Sequence, residues 1–280
     1  MTSLIIYVPF APTVQLGPLT IHWYGLMYAI AFIVGAWVAI PYAVRRGVPS
    51  HEAEAIAFWS IVLGLISARL YYDFQSGAFY YLTHPIYIFD FLQGGMAYYG
   101  AVFVVPIFIY IYSRIKKINY WIMGDAAALF AAVGQPIGRI GNIINGDILG
   151  YRSNLPWATA YTNPATYAPK VGVPYQPAGA YELLIGLCIL GILAYINRKW
   201  KRPGRLLISY LFMYAISQFG IFFLRNNSIT ALGLKQAQLS SIALLVFLIP
   251  FTYFWYRVSQ PKADTQQNPE KEQTEPLSSE

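Results

Sequence analysis

The chain has 280 residues, of which 57% are hydrophobic and 11% charged, and its mean hydropathy is +0.45. A soluble core cannot bury that much apolar surface, so the composition excludes an ordinary soluble domain. Apolar runs of about 20 residues recur between short polar connectors, and a helix of that length crosses the ~30 Å hydrocarbon core of a bilayer. The composition therefore predicts an all-α, polytopic membrane protein.

Seven membrane-spanning helices are predicted in chain order. They cover residues 24–44, 53–72, 98–112, 120–144, 178–196, 206–224 and 236–256. The first 44 residues contain no Lys or Arg, so we expect a retained N-terminus rather than a cleavable signal peptide. Residues 259–280 have almost no apolar side chains, which predicts a disordered cytoplasmic tail behind a membrane domain of residues 1–258.

Basic residues are distributed unevenly between the two sets of connectors. Twelve follow the first, third, fifth and seventh spans: Arg45, Arg46, Arg114, Lys116, Lys117, Arg198, Lys199, Lys201, Arg202, Arg205, Arg257 and Lys262. The opposite connectors hold four: Arg152, Lys170, Arg225 and Lys235. The positive-inside rule then predicts an N-terminus outside and a C-terminus in the cytoplasm. Because this topology explains the net charge of +7, we expect no nucleic-acid partner.

The outer connectors are expected to form a small extracytoplasmic head. Its largest piece is the loop of residues 147–176, which is rich in Pro, Gly, Tyr and Asn. Residues 73–95 are aromatic and lack Lys and Arg, which is typical of a chain that lies in the headgroup region. Cys188 is the only cysteine and lies within a span, so a thiol that reacts here is expected to belong to a substrate.

The three histidines, His22, His51 and His84, do not have the spacing of metal ligands, and no metal site is predicted. His51 falls on the cytoplasmic side. His22 and His84 fall outside, where a group that titrates near neutrality can act as a base, although a structural role at the membrane surface is the simpler interpretation for each.

Among the charged residues at membrane depth or close to it, where each costs at least a few kcal/mol unless it is paired or solvated, four stand out. They are Arg69, Arg139, Asp147 and Glu182. All four fall toward the outer side of the membrane in the predicted topology. This placement predicts one shared polar site.

The segment of residues 134–150, GQPIGRIGNIINGDILG, is the most informative part of the sequence. Its glycines and Pro136 predict a poor continuous helix that still allows close backbone approach. On a helix, Arg139, Asn142 and Asn145 share one face, where a guanidinium can bind phosphate and the amides can bind ester or glycerol oxygens. The alternative is a small-residue packing motif with a structural ion pair.

This segment resembles the signature of the bacterial prolipoprotein diacylglyceryl transferases, in which Gly-Arg is followed by Gly-Asn, Asn, an acidic residue and a closing Gly. Six further pieces resemble the family in the same order along the chain: IHWYGLMYA (21–29), ARLYY (68–72), GGMAYYG (94–100), NLPWA (154–158), QPAGAYE (176–182) and GLKQAQLSS (233–241). Together the seven pieces extend over about residues 17–258. Their order indicates homology.

The resemblance implies a multi-pass enzyme of the bacterial cytoplasmic (inner) membrane that performs the first step of lipoprotein maturation. Such enzymes move the diacylglyceryl group of phosphatidylglycerol to the lipobox cysteine thiol of a prolipoprotein, which forms a thioether and releases glycerol 1-phosphate. The implied partners are phosphatidylglycerol, the signal-peptide lipobox and membrane lipids. No cofactor is implied, because displacement at an existing phosphate ester needs neither redox chemistry nor ATP.

The resemblance also implies roles for individual residues. Arg139, helped by Arg69, would hold the phosphate and stabilise its charge. Tyr24 would contribute a hydroxyl group, and Asp147 would position the headgroup. The other residues expected to bind substrate are Gly138, Gly141, Asn142, Asn145, Glu182, Tyr214, Gln218 and Arg225.

Four positions depart from the family pattern. Tyr99 stands where many members have a histidine proposed to activate the thiol, Gln218 where many have an arginine, and Phe222 where many have a glutamate, while Asp147 replaces a more frequent glutamate. A tyrosine with a pKa near 10 is a poor base at neutral pH. We therefore expect Tyr99 only to hydrogen-bond. Either the thiol's own acidity (a pKa of roughly 8.5) suffices, or another group, His84 or Asp147, serves as the base.

Two other functions remain open on the sequence. The first is a catalytically silent relative that binds phospholipid or prolipoprotein, which the Tyr99 and Gln218 departures favour and the retained Arg139 and Asp147 oppose. The second is a seven-span receptor or transporter. It is disfavoured because the seventh span has no lysine for a retinal Schiff base and the chain has no internal repeat.

Overall fold

The computed structural model describes residues 5–89 and 95–258, and in this part of the chain seven α-helices form a bundle. The helices are α1 Trp23–Val44, α2 Ser50–Thr83, α3 Tyr98–Ile115, α4 Tyr120–Asn145, α5 Ala178–Lys199, α6 Arg205–Ile221 and α7 Gln236–Val258. The short strands are β1 Ile6–Val8, β2 Thr13–Leu16, β3 Leu19–His22, β4 Thr159–Tyr161, β5 Pro174–Tyr175, β6 Ile229–Ala231 and β7 Leu234–Lys235. The predicted tail at residues 259–280 lies outside the described residues.

Each predicted span coincides with a helix, and six of the helices are long and apolar enough to cross a membrane. The remaining one, α6, has 17 residues and is also apolar. At a rise of 1.5 Å per residue its length is roughly 26 Å, slightly less than the hydrocarbon core. The structure therefore confirms a polytopic helical membrane protein.

Helix α2 extends beyond the predicted end at residue 72 and reaches Thr83. Its path bends at Gly77, whose φ of 149° is outside the helical region. A 3-10 helix at Pro85–Phe89 follows, so the described part of the aromatic segment 73–95 is mainly helical. Phe74, Phe79 and Leu82 are largely exposed on it.

Helix α4 is the centre of the bundle, because it packs against α1, α3, α5 and α6. The expectation that residues 134–150 make a poor continuous helix is wrong for the first part of the segment: α4 continues through Pro136 to Asn145. Pro136 is tolerated because its ring packs against Gly186 of α5, where a Cβ would lie only 2.9 Å from the ring. The expected close backbone approach is present, since a Cβ on Gly141 would lie 3.1 Å from the Cα of Tyr24 on α1.

The connectors at one end of the bundle form a small sheet that the helical pattern did not predict. Strand β1 pairs in parallel with β4, with Ile6 opposite Thr159, and β4 pairs antiparallel with β5. Val8, Leu149, Tyr161 and Tyr175 form a separate small core beneath this sheet. We call the unit built by β1 and residues 147–177 the head. It lies where α4 ends and α5 begins, whereas the arginine- and lysine-rich connectors lie at the opposite, basic end of the bundle.

Candidate active site

The site begins at the C-terminal end of α4, where two predicted polar residues lie on one helical face. Arg139 donates a hydrogen bond from Nη1 to Oδ1 of Asn142 over 3.3 Å. The Asn142 amide in turn donates to both carboxylate oxygens of Asp147, at 3.0 and 3.2 Å. Gly146 makes this return contact possible, because its left-handed backbone (φ 73°) ends the helix and turns Asp147 back toward it.

Glu182 on α5 joins this network to a second arginine. Its Oε2 lies 2.5 Å from Nη2 of Arg139, and its Oε1 lies 3.1 Å from Nη1 of Arg225. The Glu182 side chain is 2% exposed, and the two arginine side chains are 16% and 14% exposed. One carboxylate therefore serves two guanidinium groups, and Nε of each arginine is buried without a hydrogen-bond partner among the described residues.

Arg225 is positioned by the backbone around it. It forms a β-bridge with Gly150, and a Cβ at Gly150 would lie 2.4 Å from the Leu224 carbonyl oxygen, so only glycine allows this approach. The guanidinium lies over the ring of Phe222, 4.5 Å from its centroid. Burial lowers the pKa of Arg225, which the Glu182 carboxylate opposes. An arginine remains protonated under such conditions.

Lys235 is a buried residue that the sequence did not single out for the site. Its ammonium group donates to the carbonyl oxygens of Phe222 (2.6 Å) and Arg225 (2.5 Å) and to the Tyr151 hydroxyl (3.1 Å). The Phe222 carbonyl is at the C-terminal end of α6, where a cation is favoured. Lys235 thus fixes the backbone of Arg225 and of the residues just before it. In the sequence, Lys235 appeared as a basic residue of an outer connector and within the family-like piece GLKQAQLSS (233–241).

Burial raises the pKa of the Asp147 carboxyl above the ordinary aspartate value, and the hydrogen bond from Asn142 is the largest opposing effect. Tyr161 of the head closes the same region, because its hydroxyl donates to the Ile143 carbonyl at 2.6 Å. Burial also raises the pKa of Tyr161 to about 12, so this hydroxyl stays protonated and remains a donor. Asn145 is buried as well. Its backbone carbonyl oxygen accepts from the Tyr167 amide over 2.9 Å, and its side-chain oxygen has no hydrogen-bond partner among the described residues.

Several tyrosines interact electrostatically with the guanidinium of Arg139. Tyr24, predicted to contribute a hydroxyl, interacts electrostatically with both Arg139 and Asp147. Tyr214, also predicted, interacts with Arg139 and Glu182. Tyr98 and Tyr210 interact with Arg139 too and were not predicted. Their separation in sequence concealed them, since α3 and α6 meet α4 only in the folded bundle.

Other predicted residues are placed differently. Gly138 lies at the α1–α4 contact, where a Cβ would be 3.6 Å from the Tyr28 ring. The Tyr99 hydroxyl is 3.2 Å from Oγ of Ser240 on α7. Gln218 is buried on α6, one turn before Phe222.

Arg69 does not share the Glu182 carboxylate that joins Arg139 to Arg225. Its Nε lies 3.2 Å from Asp73, and its guanidinium donates to the carbonyl oxygens of Tyr87, Ile88 and Gly95. These bonds join the C-terminal half of α2 to the segment that leads to α3. The expectation of one network for four buried charges is therefore correct for three of them.

His84 lies at the end of α2, on the exposed surface. Its Nδ1 is 3.0 Å from Oγ1 of Thr83 and 3.2 Å from the Tyr80 carbonyl oxygen, and its ring stacks on Tyr80. These contacts are all local to α2. The structure does not bring His84 to Asp147 or Glu182.

An apolar cavity of about 440 Å³ adjoins the site between the head and the ends of α4 and α5 nearest to it. Its walls include Ile143, Ile148, Trp157 and Leu184. The Trp157 indole donates to the Tyr181 hydroxyl at 2.6 Å, which fixes one wall. The polar network thus has an apolar space beside it.

Comparison with known proteins agrees with this arrangement. The sequence profile of the prolipoprotein diacylglyceryl transferase family matches residues 12–255. The phosphatidylglycerol–prolipoprotein diacylglyceryl transferase of Clostridioides difficile (strain 630) is 34% identical over 222 residues, which are 79% of this chain and 86% of the relative. The protein of the same name from Dehalococcoides mccartyi (strain CBDB1) is 32% identical over 89% of this chain and 94% of the relative. The one from Bacillus cytotoxicus is 31% identical over 85% of this chain and 89% of the relative. The predicted family is confirmed: this chain is a member of the prolipoprotein diacylglyceryl transferases.

Proposed function

We propose that this chain transfers the diacylglyceryl group of phosphatidylglycerol to the lipobox cysteine thiol of prolipoproteins. The observation that carries the proposal is the buried network of Arg139, Glu182 and Arg225 beside Asn142 and Asp147, because two guanidinium groups that share one carboxylate keep donors for a phosphate. The names of the relatives give the same two substrates.

The reaction is a displacement at carbon. The substrate thiolate attacks the glyceryl carbon that carries the phosphate ester, and a C–S bond forms as the C–O bond breaks. The electron pair leaves with glycerol 1-phosphate. Arg139 and Arg225 stabilise the charge that develops on the departing phosphate, and Asn142 orients its oxygens.

Asp147 is the carboxylate that we assign as the base for the thiol proton. It is held by Asn142, and burial raises its pKa, which makes it a better proton acceptor than an ordinary aspartate. His84, the other candidate from the sequence, bonds only to neighbouring parts of α2 in the described structure. The hydrogen bond of Tyr99 with Ser240 supports a positioning role for its hydroxyl.

Further residues support substrate binding in this proposal. Tyr24 and Tyr214 contribute hydroxyls near Arg139, and Asn145 supplies a buried amide. Arg69 braces the outer end of α2 at the edge of the site. Gly138 and Gly141 complete the set by allowing α1 to approach α4, and Gln218 adds a buried amide on α6.

Mass spectrometry of a reporter lipoprotein tests the function. The chain is the sole transferase in a bacterium depleted of its own enzyme, and the mass of the reporter's lipobox cysteine peptide is measured. We expect the mass of one diacylglyceryl group to be added. An unmodified reporter, with the chain present in the membrane, would instead establish a catalytically silent relative that binds lipid or prolipoprotein.

We also propose that all seven helices span the inner membrane, with the head outside and residues 259–280 as a cytoplasmic tail behind the membrane domain. The concentration of arginine and lysine at the basic end supports this orientation. In a Cys188→Ala background, Lys170→Cys in the head and Lys199→Cys at the end of α5 provide matched labelling sites. A membrane-impermeant maleimide applied to spheroplasts should label only the Lys170→Cys variant. Labelling of only the Lys199→Cys variant would show the opposite topology.

A further inference from the structure

The basic end of the bundle contains a polar pocket of about 270 Å³ that the transferase chemistry does not use. It lies between the α1–α2 connector and the α3–α4 connector. Arg46 and Pro49 line it from the first connector, Lys116, Lys117 and Asn119 from the second, and Glu52 from the first turn of α2. We call it the basic-end pocket.

Positive charge exceeds negative charge in this pocket. Glu52 is its one carboxylate among the described lining residues, and it is already engaged by Lys116 at 2.9 Å and by the Tyr112 hydroxyl at 2.6 Å. The hydrogen bond with Glu52 raises the pKa of Lys116, so this lysine is charged at neutral pH. Arg46 and Lys117 then remain as two further cations that Glu52 does not balance.

The two cations differ in how they are held. Arg46 is fixed, because its guanidinium donates to the Lys201 carbonyl at 3.0 Å and to Oδ1 of Asn197 at 3.1 Å. Lys117 is exposed, and its ammonium group makes no hydrogen bond within the described structure. Its backbone φ of 56° lies in the left-handed region that favours glycine. This conformation ends α3, because the Ile118 N–H donates to the Ser113 carbonyl over 2.9 Å.

Two helices begin at the rim of the pocket. Pro49 precedes the first residue of α2 and gives no side-chain cap, whereas the Asn119 side chain caps α4 by accepting from the Trp121 amide over 2.9 Å. The N-terminal end of a helix carries partial positive charge and free N–H groups, which favour anions. The fixed arginine, the exposed lysine and the uncapped start of α2 therefore act in the same direction.

We propose that the basic-end pocket binds a phosphate group, carried either by the headgroup of an anionic phospholipid or by free phosphate. Basic pockets between membrane helices on the cytoplasmic side are suited to anionic headgroups, and in the proposed orientation this end meets the inner leaflet. Phosphate binding here depends on the geometry of the connectors and not on transferase activity. Only the assignment to a leaflet depends on the orientation proposed above.

Lipid binding to the full chain in detergent micelles tests this inference, with native mass spectrometry as the readout and dioleoyl phosphatidic acid as the probe. All measurements use an Arg139→Ala background, which removes one of the two arginines assigned to phosphate at the head-side site. Binding that remains there is common to the Lys117 variants and their control. We expect one bound phosphatidic acid, and about tenfold weaker binding in Lys117→Gln, as for the loss of one charge-assisted hydrogen bond. Arg45→Gln is the matched control, because Arg45 is an exposed cation of the same end that does not line the pocket.

A second variant separates binding from folding. Lys117→Gly removes the same charge but relieves the left-handed backbone, so its fold is at least as stable, and we expect it to weaken binding as much as Lys117→Gln. Inorganic phosphate at about 10 mM then identifies the source of the ligand: displacement of the lipid supports a site for free phosphate, and retention supports a lipid headgroup. Equal affinities of the Lys117 variants and Arg45→Gln would overturn the proposal.

Discussion

Two buried polar clusters at opposite ends of α4 differ in the groups that pair with their carboxylates. At the basic end, the Asp125 carboxylate accepts hydrogen bonds from the Tyr42 hydroxyl (3.0 Å) and from the backbone N–H groups of Gly204 and Leu207 (both 2.9 Å). At the head end, the Glu182 carboxylate faces two arginines, whose Nε atoms are buried without a partner among the described residues.

The difference indicates what each cluster is for. Asp125 has its donors supplied by the protein, and two of them are the backbone at the start of α6, so this cluster fixes the helix in place. The Glu182 cluster has more donors than acceptors, an arrangement that is costly in an apolar interior unless a ligand uses them. Removal of residues from the two clusters should therefore separate stability from activity.

Loss of Arg139 should have the largest effect. In Arg139→Ala we expect the rate of diacylglyceryl transfer to fall by about 10²-fold or more, because a preorganised charge at the departing phosphate is lost. Thermal unfolding should change little, since Glu182 keeps Arg225 as a partner. The measurement is the initial rate with phosphatidylglycerol vesicles and a lipobox peptide. Arg152→Ala, an exposed arginine of the head, is the control, and a variant rate within threefold of the parent would reject the phosphate role.

Loss of Asp125 should produce the opposite pattern. Asp125→Ala leaves three buried donors without an acceptor, at about 1–3 kcal/mol each, so we expect a loss of at least roughly 3 kcal/mol in the free energy of unfolding. The rate per folded molecule should stay near that of the parent. Glu54→Ala removes an exposed carboxylate from the same end and is the matched control. A stable but inactive Asp125→Ala protein would contradict the distinction between the clusters.

Asp147 can be tested through pH. Burial raises the pKa of its carboxyl, and as a base it works only when ionised, so the transfer rate should rise with pH through that raised pKa. In Asp147→Asn we expect a rate about 10²-fold lower and no such rise. The stability contribution has the opposite sign: because the folded-state pKa is above the unfolded value, it is present at low pH and is lost as pH rises through the folded pKa.

Asn142→Ala sharpens the same test. The Asn142 amide lowers the pKa of Asp147, so its removal should move the rising limb of the pH–rate profile to higher pH. Profiles of the parent and both variants, measured with one peptide substrate, give the comparison. An unchanged profile in Asp147→Asn would require another base.

Lys235 should show a smaller effect, through Arg225. In Lys235→Met the carbonyl oxygens of Phe222 and Arg225 lose their donor, and we expect about tenfold lower kcat/KM, mainly through a higher KM for phosphatidylglycerol. Lys235→Arg should recover part of the loss, while Lys170→Met on the head surface should have no effect. A change in unfolding temperature without any change in KM would show that Lys235 has only a structural role.

His84 should matter least. His84→Ala is expected to change the transfer rate by less than about twofold, because surface substitutions away from a site have small effects. The same vesicle assay measures it, with unfolding temperature as the control for folding. A large rate loss in a stable His84→Ala protein would return the base assignment to His84.

Much of the site can be predicted from the sequence because charged residues at membrane depth are rare and costly. This cost points to Arg139, Asp147 and Glu182, and the helical spacing of Arg139 and Asn142 predicts their hydrogen bond. The same cost points to Arg69, which the structure pairs instead with Asp73 and with backbone carbonyls of the following segment. Burial requires that a charge have a partner but does not determine which partner it has.

Hydropathy and charge asymmetry by themselves determined the polytopic helical class, the positions of the helices and the basic end, because the bilayer imposes a fixed length and every backbone polar group must be paired. Only the tertiary structure decided the parallel pairing of β1 with β4, the second arginine on Glu182, and the role of Lys235. Each of these joins residues that are 10 to 153 positions apart, through backbone or side-chain contacts that leave no periodic pattern. The local sequence determines where the helices form, whereas the site depends on how the helix ends and the connectors pack together.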